Sequence, residues 1–406
     1  MKIWKKLALG STAALAALSL AACSNGSSDS SSSKSTSNEK ANLTLWVDTE
    51  QVPYYKNIAQ EFMKKNKNIK VRVTQSPNGS ANAKTDVGKD PSKAADVFEV
   101  PNDQLGQMAE AGYINPLSPA ATKDIQANYV DVAAQGVTWK GKVYAFPYAQ
   151  QAQTIYYNKS KLSAEDVKDW DTLTKKGVVA TDFTNAYVMY PVFFSAGTKL
   201  YGDNGEDLKG STINSEGGIN GLKWFAAQKN NKGVMQTSNA LNQLKKGNAQ
   251  AILDGPWNAA NIKKILGKNF AVAKYPMINV GGKKVQMQAF LGIEGFAINS
   301  HTKSAKAASD LAAFITNKKS QLIAHKEAGQ IPVLKSAVES SEVKNDAVAE
   351  AVIEMGNHSV LMPKLPQMAA FWNGAAPLIS GAYDGKIKPV QYKAQLEKFA
   401  KNIEKK

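Results

Sequence analysis

Between residues 43 and 111 the spacing of apolar side chains switches repeatedly between about two and about 3.6 residues. That switching restricts the fold more than any other feature of the chain. Leu43, Leu45 and Val47 alternate with Thr44 and Trp46, the period of a strand. Tyr55, Ile58, Ala59, Phe62 and Met63 follow at helical spacing with lysines between them, behind a Pro53 suited to a first helical turn. Ile69, Val71 and Val73 return to alternation. Residues 95–100 read as a third strand, and residues 104–111 as a helix that Gly112 stops. Strand–helix–strand units of this size predict an α/β fold, a mostly parallel sheet with helices on both faces.

Past residue 150 the character changes. Residues 150–158, with Ile155, Tyr156 and Tyr157, read as a strand leaving a first lobe. Helices are expected over 185–196 and 216–228. Ala251, Ile252 and Leu253 form a short buried strand entering Asp254-Gly255-Pro256-Trp257, a turn that should launch the next helix. Gly281-Gly282 lies between two apolar runs as a hairpin turn. The last third is predicted helical apart from the loop 363–366, and the chain carries no internal repeat.

Ahead of this folded part, a basic start (Lys2, Lys5, Lys6) leads into an Ala- and Leu-rich stretch over 7–22 that ends Leu20-Ala21-Ala22-Cys23. Sixteen residues interrupted by Gly10, Ser11 and Thr12 fall short of the roughly 20 that a spanning helix needs. The segment reads as a signal peptide over 1–22. Leu-Ala-Ala-Cys resembles the bacterial lipobox, which implies a diacylated cysteine as the mature N-terminus, and two acyl chains anchor stably. The alternative is an ordinary cleaved signal with an incidental cysteine. Residues 24–41 are mostly serine and other polar residues without an aromatic or branched apolar side chain, so 23–41 is expected to be the lipidated cysteine and a flexible tether. About 365 residues remain, a length that usually divides into two lobes. Cys23 is the only cysteine, so once it is acylated no thiol remains for a disulfide, a nucleophile or a thiolate metal site.

The formal net charge is +16, and +13 without Lys2, Lys5 and Lys6. Arg72 is the only arginine. Base-edge reading and bidentate phosphate grip favour arginine, and the lysines are scattered, so nucleic acid is not the expected partner. A solvated basic face near anionic lipid or wall polymer accounts for the balance better.

Four segments carry a specific resemblance: residues 139–159 (WKGKVYAFP running on to IYYNK), residues 254–257 (DGPW), residues 290–299 (FLGIEGFAIN) and residues 362–372 (MPKLPQMAAFW). In order and spacing they resemble the maltose/maltodextrin-binding proteins of bacterial ABC importers, within the family 1 extracellular solute-binding proteins. The resemblance implies a two-lobed, periplasmic-binding-protein-like fold with a hinge crossed about three times, near 150–153, 292–295 and 349–354. It assigns 42–150 plus 296–350 to an N-lobe and 154–291 plus 354–406 to a C-lobe. It further implies a monomeric receptor that takes an oligosaccharide between the lobes and hands it to ABC permease subunits. The expected location is the extracytoplasmic face of the cell membrane of a Gram-positive bacterium, reached through the lipid anchor.

A sugar offers vicinal hydroxyls and flat C–H faces, so a binder needs planar amides or carboxylates and aromatic rings. By resemblance, Trp257, Trp372, Tyr187 and Tyr190 correspond to stacking aromatics; core packing is the competing reading, strongest for the two helical tyrosines. Phe146 could serve cleft wall or core equally. For polar contacts the candidates are Asp48 and Glu50 after the first strand, Asn102 and Asp103 after the third, and Gln151 near the crossover. Loops after parallel strands are where open α/β sheets bind ligands, although capping and turn roles compete for each. Gln104, Gln151 and Asn185 stand where relatives often carry charged residues, which predicts a less charged, amide-rich cleft. No cofactor and no metal are expected: His301, His325 and His358 lie far apart without acidic partners at zinc spacing. Residues 203–207 have calcium-loop composition without the ligand order and read as a hairpin turn, and residues 217–221 read as turn plus helix start. A surface glycoside hydrolase using two carboxylates such as Asp103 and Asp254, an adhesin, and receptors for cyclodextrin, raffinose or fructan remain as alternatives.

Overall fold

The computed structural model describes residues 40–405; the expected leader, the expected lipidation site Cys23 and nearly all of the expected tether lie outside the described residues. The alternating segment is the strand Ala41–Val47, with Ala41, Leu43, Leu45 and Val47 all buried on one face. It pairs in parallel with Ile69–Gln75 on one side and Val97–Pro101 on the other. The helix Val52–Lys65 joining the first two starts on Pro53 and buries Tyr54, Tyr55, Ile58, Ala59 and Phe62. Met63 is only half-buried and its sulfur accepts the Val71 amide at 3.2 Å.

The sheet then turns antiparallel. Ala289–Ile298 pairs with Val97–Pro101 and, on its other edge, with Ala145–Ala152. Ile331–Pro332 and Ser359–Leu361 complete seven strands. The short strands at 331 and 359 lie in a region expected to be helical outside one loop. Each runs only two or three residues and pairs with a long buried neighbour, so no sequence period betrays it.

A second sheet orders its strands Phe270–Ala273, Thr154–Asn158, Ala251–Asp254, Val179–Thr181 and Val234–Gln236. The expected single strand over 150–158 is therefore two strands in two sheets, separated by Gln153. That residue is buried and accepts the Tyr275 hydroxyl at 3.2 Å. The other two passages differ from the expected positions. Residues 292–295 lie inside Ala289–Ile298, wholly in the larger sheet, so the chain re-enters that sheet ahead of residue 289. Residues 349–354 lie inside the unbroken helix Ala347–Gly356, which packs on strands of both sheets. The chain then pairs once more with the larger sheet through Ser359–Leu361. Only after it do Met368–Tyr383 and Tyr392–Ile403 pack on the helix Glu216–Gln228 of the other half.

Two local expectations change as well, and a third holds. The helix over 185–196 is two, Ala186–Met189 and Pro191–Ser195, because Pro191 starts a new first turn. Residues 203–207 form turns without flanking strands, with Gly202 and Gly205 at φ 76° and 71°. Gly281 and Gly282, at φ 60° and 75°, do close the hairpin Met277–Val280/Lys283–Gln286, as a primed turn requires.

Asn102 ties these parts together. Its Nδ2 donates to the Met362 carbonyl at 2.7 Å and its Oδ1 accepts the Ile293 amide at 3.0 Å, with the residue 1% exposed. Asn102→Ala leaves two buried backbone groups without partners and is expected to lower the unfolding free energy by about 2–4 kcal/mol. Urea unfolding followed by circular dichroism checks this, and an unchanged midpoint would contradict it.

Candidate functional site: a cleft between the two sheets

The strands Ala41–Val47 and Val97–Pro101 are parallel and neighbouring, and the chain leaves both at the same edge of the sheet. Asp48 and Glu50 follow the first; Asp103, Gln104 and Gln107 lie on the helix Asn102–Glu110 that follows the second. Gln151 and Glu294 come from the long antiparallel strands. From the other half, Tyr187 stands on the short helix after Val179–Thr181, and Trp257 on the turn after Ala251–Asp254. Trp372 lies on the helix Met368–Tyr383. These side chains line one cleft of about 600 Å³, together with Gln51, Lys84, Gln330 and Met362.

One wall is aromatic. Tyr187 lies 6.1 Å from Trp257 and 6.3 Å from Trp372 between ring centroids, and Phe290 stacks behind Tyr187 at 5.9 Å and 6°. Trp257 is 38% exposed, large for a tryptophan on a packed turn. Its indole folds back over Gly255, where an added Cβ would sit 2.1 Å from the ring. The other wall is polar, with five glutamines, four acids and Lys84 as the one cation among the described lining residues. On a chain of net charge +16 this cleft is locally acidic and amide-rich, which disfavours anionic ligands and suits a neutral polyhydroxylated one.

Several polar groups are already engaged. Asp48 accepts the Ser80 amide at 2.6 Å and its hydroxyl at 2.8 Å. Asp103 accepts the Trp372 indole N–H at 2.9 Å, joining the helix after the third strand to the aromatic wall. Burial pushes the Asp103 carboxyl up to about 6, against the lowering effect of that indole bond. Asp254, by contrast, is held by the Gly255 amide and the Asn258 side chain and is absent from the cleft lining. The carboxylate pair Asp103 and Asp254 does not converge on one space.

Of the residues expected from sequence, Trp257, Trp372, Tyr187, Asp48, Glu50, Asp103 and Gln151 meet in the cleft. Three do not. Tyr190 is fully buried among Phe193, Phe194, Phe290, Phe371 and Phe399. Phe146 is core, opposite Phe296 in the sheet. Asn102 spends its amide on the backbone of Met362 and Ile293. Glu294 and Gln330 were missed. An acid inside the otherwise apolar run 290–298 was the signal for the first, since acids are almost never fully buried unless paired. Gly329, in the left-handed region at φ 66° after the helix Lys318–Ala328, turns the chain toward the cleft and was the signal for the second.

A larger recess, of about 820 Å³, lies between the helices Lys318–Ala328 and Ala259–Leu266. It is lined by Lys263, Lys318, Lys319 and Lys326 and holds no Trp, Tyr or Phe, so it lacks the stacking surfaces of the cleft.

A two-sheet α/β protein with a ligand-sized cleft at the strand ends and chain passages beneath it has the architecture of a solute receptor. Residues 57–351 match the profile of the bacterial extracellular solute-binding proteins, and the chain belongs to that family. Among curated proteins, it is 28% identical to a galactooligosaccharide-binding protein of Bacillus subtilis (strain 168), over 99% of this chain and 98% of that one. It is also 28% identical to a maltooligosaccharide ABC transporter solute-binding lipoprotein of Streptococcus pneumoniae serotype 4 (strain ATCC BAA-334 / TIGR4), over 95% and 93%. Among solved structures, the maltodextrin-binding protein MalE1 from L. casei BL23, determined without ligand, is 68% identical. The alignment covers 91% of this chain and 100% of that one with a TM-score of 0.87.

The raised carboxyl of Asp103 has a measurable consequence. Between the unfolded value near 4 and about 6 the folded state binds the extra proton, so the destabilisation is full above the folded value and absent below the unfolded one. Asp103→Asn keeps an acceptor for the indole and is expected to stabilise the free protein by about 1–3 kcal/mol near pH 7.5, with the gain vanishing near pH 4. Thermal unfolding at the two pH values tests this; a gain independent of pH would refute the titration as its cause.

Proposed function

We propose that this protein is a lipid-anchored extracytoplasmic receptor that binds malto-oligosaccharides in its cleft and delivers them to an ABC importer. The observation that carries the reading is the convergence of Trp257, Tyr187 and Trp372 opposite a wall of amides and acids. Rings stack on the C–H faces of successive glucose units, and the planar polar groups pair the hydroxyls. A row of rings tolerates shifts along a repeating polymer better than it grips a single monosaccharide. The proposed lobes are built on the two sheets, the larger carrying residues 41–152 with 289–361 and the other residues 154–286 with 368–403, closing on the sugar as one monomer. The high identity to a maltodextrin-binding protein favours α-1,4-glucans. A galacto-oligosaccharide is the second reading, supported by the relative from Bacillus subtilis.

Calorimetric titration of residues 24–406 decides between them. Maltotriose and longer α-1,4-glucans are expected to bind more tightly than glucose and than galacto-oligosaccharides, with recovered chains of unchanged length. Trp257→Ala should weaken that binding by about 1–3 kcal/mol. Equal affinity for glucose and maltotetraose, or a preference for galacto-oligosaccharide, raffinose or a fructan, would overturn the substrate assignment. Shortened glucan chains would restore the hydrolase.

Anchoring rests on Leu20-Ala21-Ala22-Cys23, in keeping with the lipoprotein named among the relatives. Cys23→Ser is expected to shed the protein into the medium or leave a signal-bearing precursor. Equal retention of mature-sized, detergent-extractable protein in the variant would refute the anchor.

A further inference from the structure

Glu294 sits opposite Pro101 in the ladder, two residues along the strand from the Phe296–Glu99 pair. Because side chains alternate across a sheet, Glu99 and Glu294 share one face. Both are buried, 2% and 6% exposed, yet their surroundings differ. Glu99 accepts from the Gln51 amide at 2.9 Å, from the Asp48 backbone N–H at 3.2 Å and from the Tyr148 hydroxyl. The Oε2 of Glu294 is buried with no hydrogen-bond partner, and the residue lines the cleft beside Gln151 and Tyr187. The charges acting on it are Glu99 from the neighbouring strand, Asp48 from the loop after the first strand and Asp103 from the helix Asn102–Glu110, all acidic. The hydroxyls of Tyr148 and Tyr187 also feel it.

Such a carboxyl holds its proton well above the usual carboxylate range. Burial comes first, since it disfavours the charged form, and the like charge of Glu99 adds to it. Burial raises Glu99 as well, to about 8, yet of the two it is better able to ionise, because three donors already point at it, and Glu294 has none. A protonated carboxyl is a strong hydrogen-bond donor with no competing partner here. The other carboxylates of the cleft can only accept, and Asp48 and Asp103 already do so from Ser80 and Trp372.

We propose that Glu294 is a ligand-binding residue that engages a sugar hydroxyl as a carboxylic acid, donating its proton to the hydroxyl oxygen. The inference rests on the oligosaccharide reading above. It makes affinity depend on pH in one direction: binding is full while the acid is protonated and weakens as it ionises.

Maltotetraose is titrated into the wild type, Glu294→Gln and Glu294→Met by calorimetry from neutral into alkaline pH, the direction in which a raised carboxyl ionises. Glutamine keeps a donor without a titrating proton. At neutral pH Glu294→Gln is expected within about threefold of the wild type and Glu294→Met at least about tenfold weaker. Wild-type affinity should fall with rising pH while that of Glu294→Gln stays flat. Methionine removes an unpaired buried acid, so Glu294→Met should melt no lower than the wild type, which excludes misfolding as the cause of its loss. If it does not fold, the contrast in pH profile between wild type and Glu294→Gln decides. Wild-type-like binding by Glu294→Met, or the same pH profile in Glu294→Gln as in the wild type, would overturn the proposal while leaving the receptor assignment standing. No binding of any maltodextrin by the wild type would defeat the assignment, and this inference with it.

Discussion

The hydrogen bond from the Trp372 indole to Asp103 reaches from the helix Met368–Tyr383 to the first turn of the helix after the third strand. Most of the cleft depends on it and on its neighbour Asn102. Adjacent residues at one helix start thus hold three separate chain segments: the long strand through Ile293, the loop through Met362 and the aromatic wall through Trp372. An acid in a first helical turn is favoured by the backbone N–H groups there. That offsets part of the cost of burying Asp103, and the indole bond offsets more. The carboxyl still titrates high, so the position is held at some expense in stability. Such expense is common where a site must be preorganised.

The electrostatics of the cleft run opposite to those of the surface. Most ion pairs are exposed lysine–carboxylate contacts, such as Lys319 with Glu61 and Lys306 with Asp310, worth little individually. They leave a basic exterior that keeps the protein soluble and suits an anionic surrounding. Inside the cleft four acids meet a single lysine. The two regimes are separated by burial, which preserves the local sign against the field of the whole molecule because buried groups are screened less.

Sequence reading went furthest where one physical period dominated. The alternation of Leu43, Leu45 and Val47 and the stripe from Tyr55 to Phe62 correspond to the observed strand and helix, because each element buries one face on its own. It failed where the deciding contact is remote. Tyr187 and Tyr190 are three residues apart and look equivalent, yet Pro191 ends the first helix between them and a new turn begins. Tyr187 therefore faces the cleft, and Tyr190 falls among five phenylalanines. Phe146 is settled by its partner Phe296, some 150 residues away, and the passages between sheets by pairings of Ser359–Leu361 that are too short to leave a pattern. Glu294 was legible as an anomaly within a quoted segment. Its meaning depended on finding Glu99 across the ladder.

A receptor of the proposed kind, which must release its cargo to an importer, gains little from gripping every hydroxyl with a charge. Charge-assisted bonds are roughly twice as strong as neutral ones, and here Asp48 and Asp103 already spend part of their capacity on Ser80 and Trp372. The groups left free to meet a hydroxyl are mainly the amides of Gln107, Gln151 and Gln330, since Gln104 is engaged by Lys84 and Ala81 and Gln51 by Glu99 and Tyr54. Amides give and accept bonds without desolvating a charge, so opening the cleft returns them to water at small cost. In the proposed receptor, stacking on Trp257 and Tyr187 would then contribute most of the attraction, and it would vary little along the chain of a repeating sugar. Selectivity for length would come from how many rings a ligand spans, while direction along the glucan would be read by the few polar groups at fixed depth, chiefly Asp103 and Glu294.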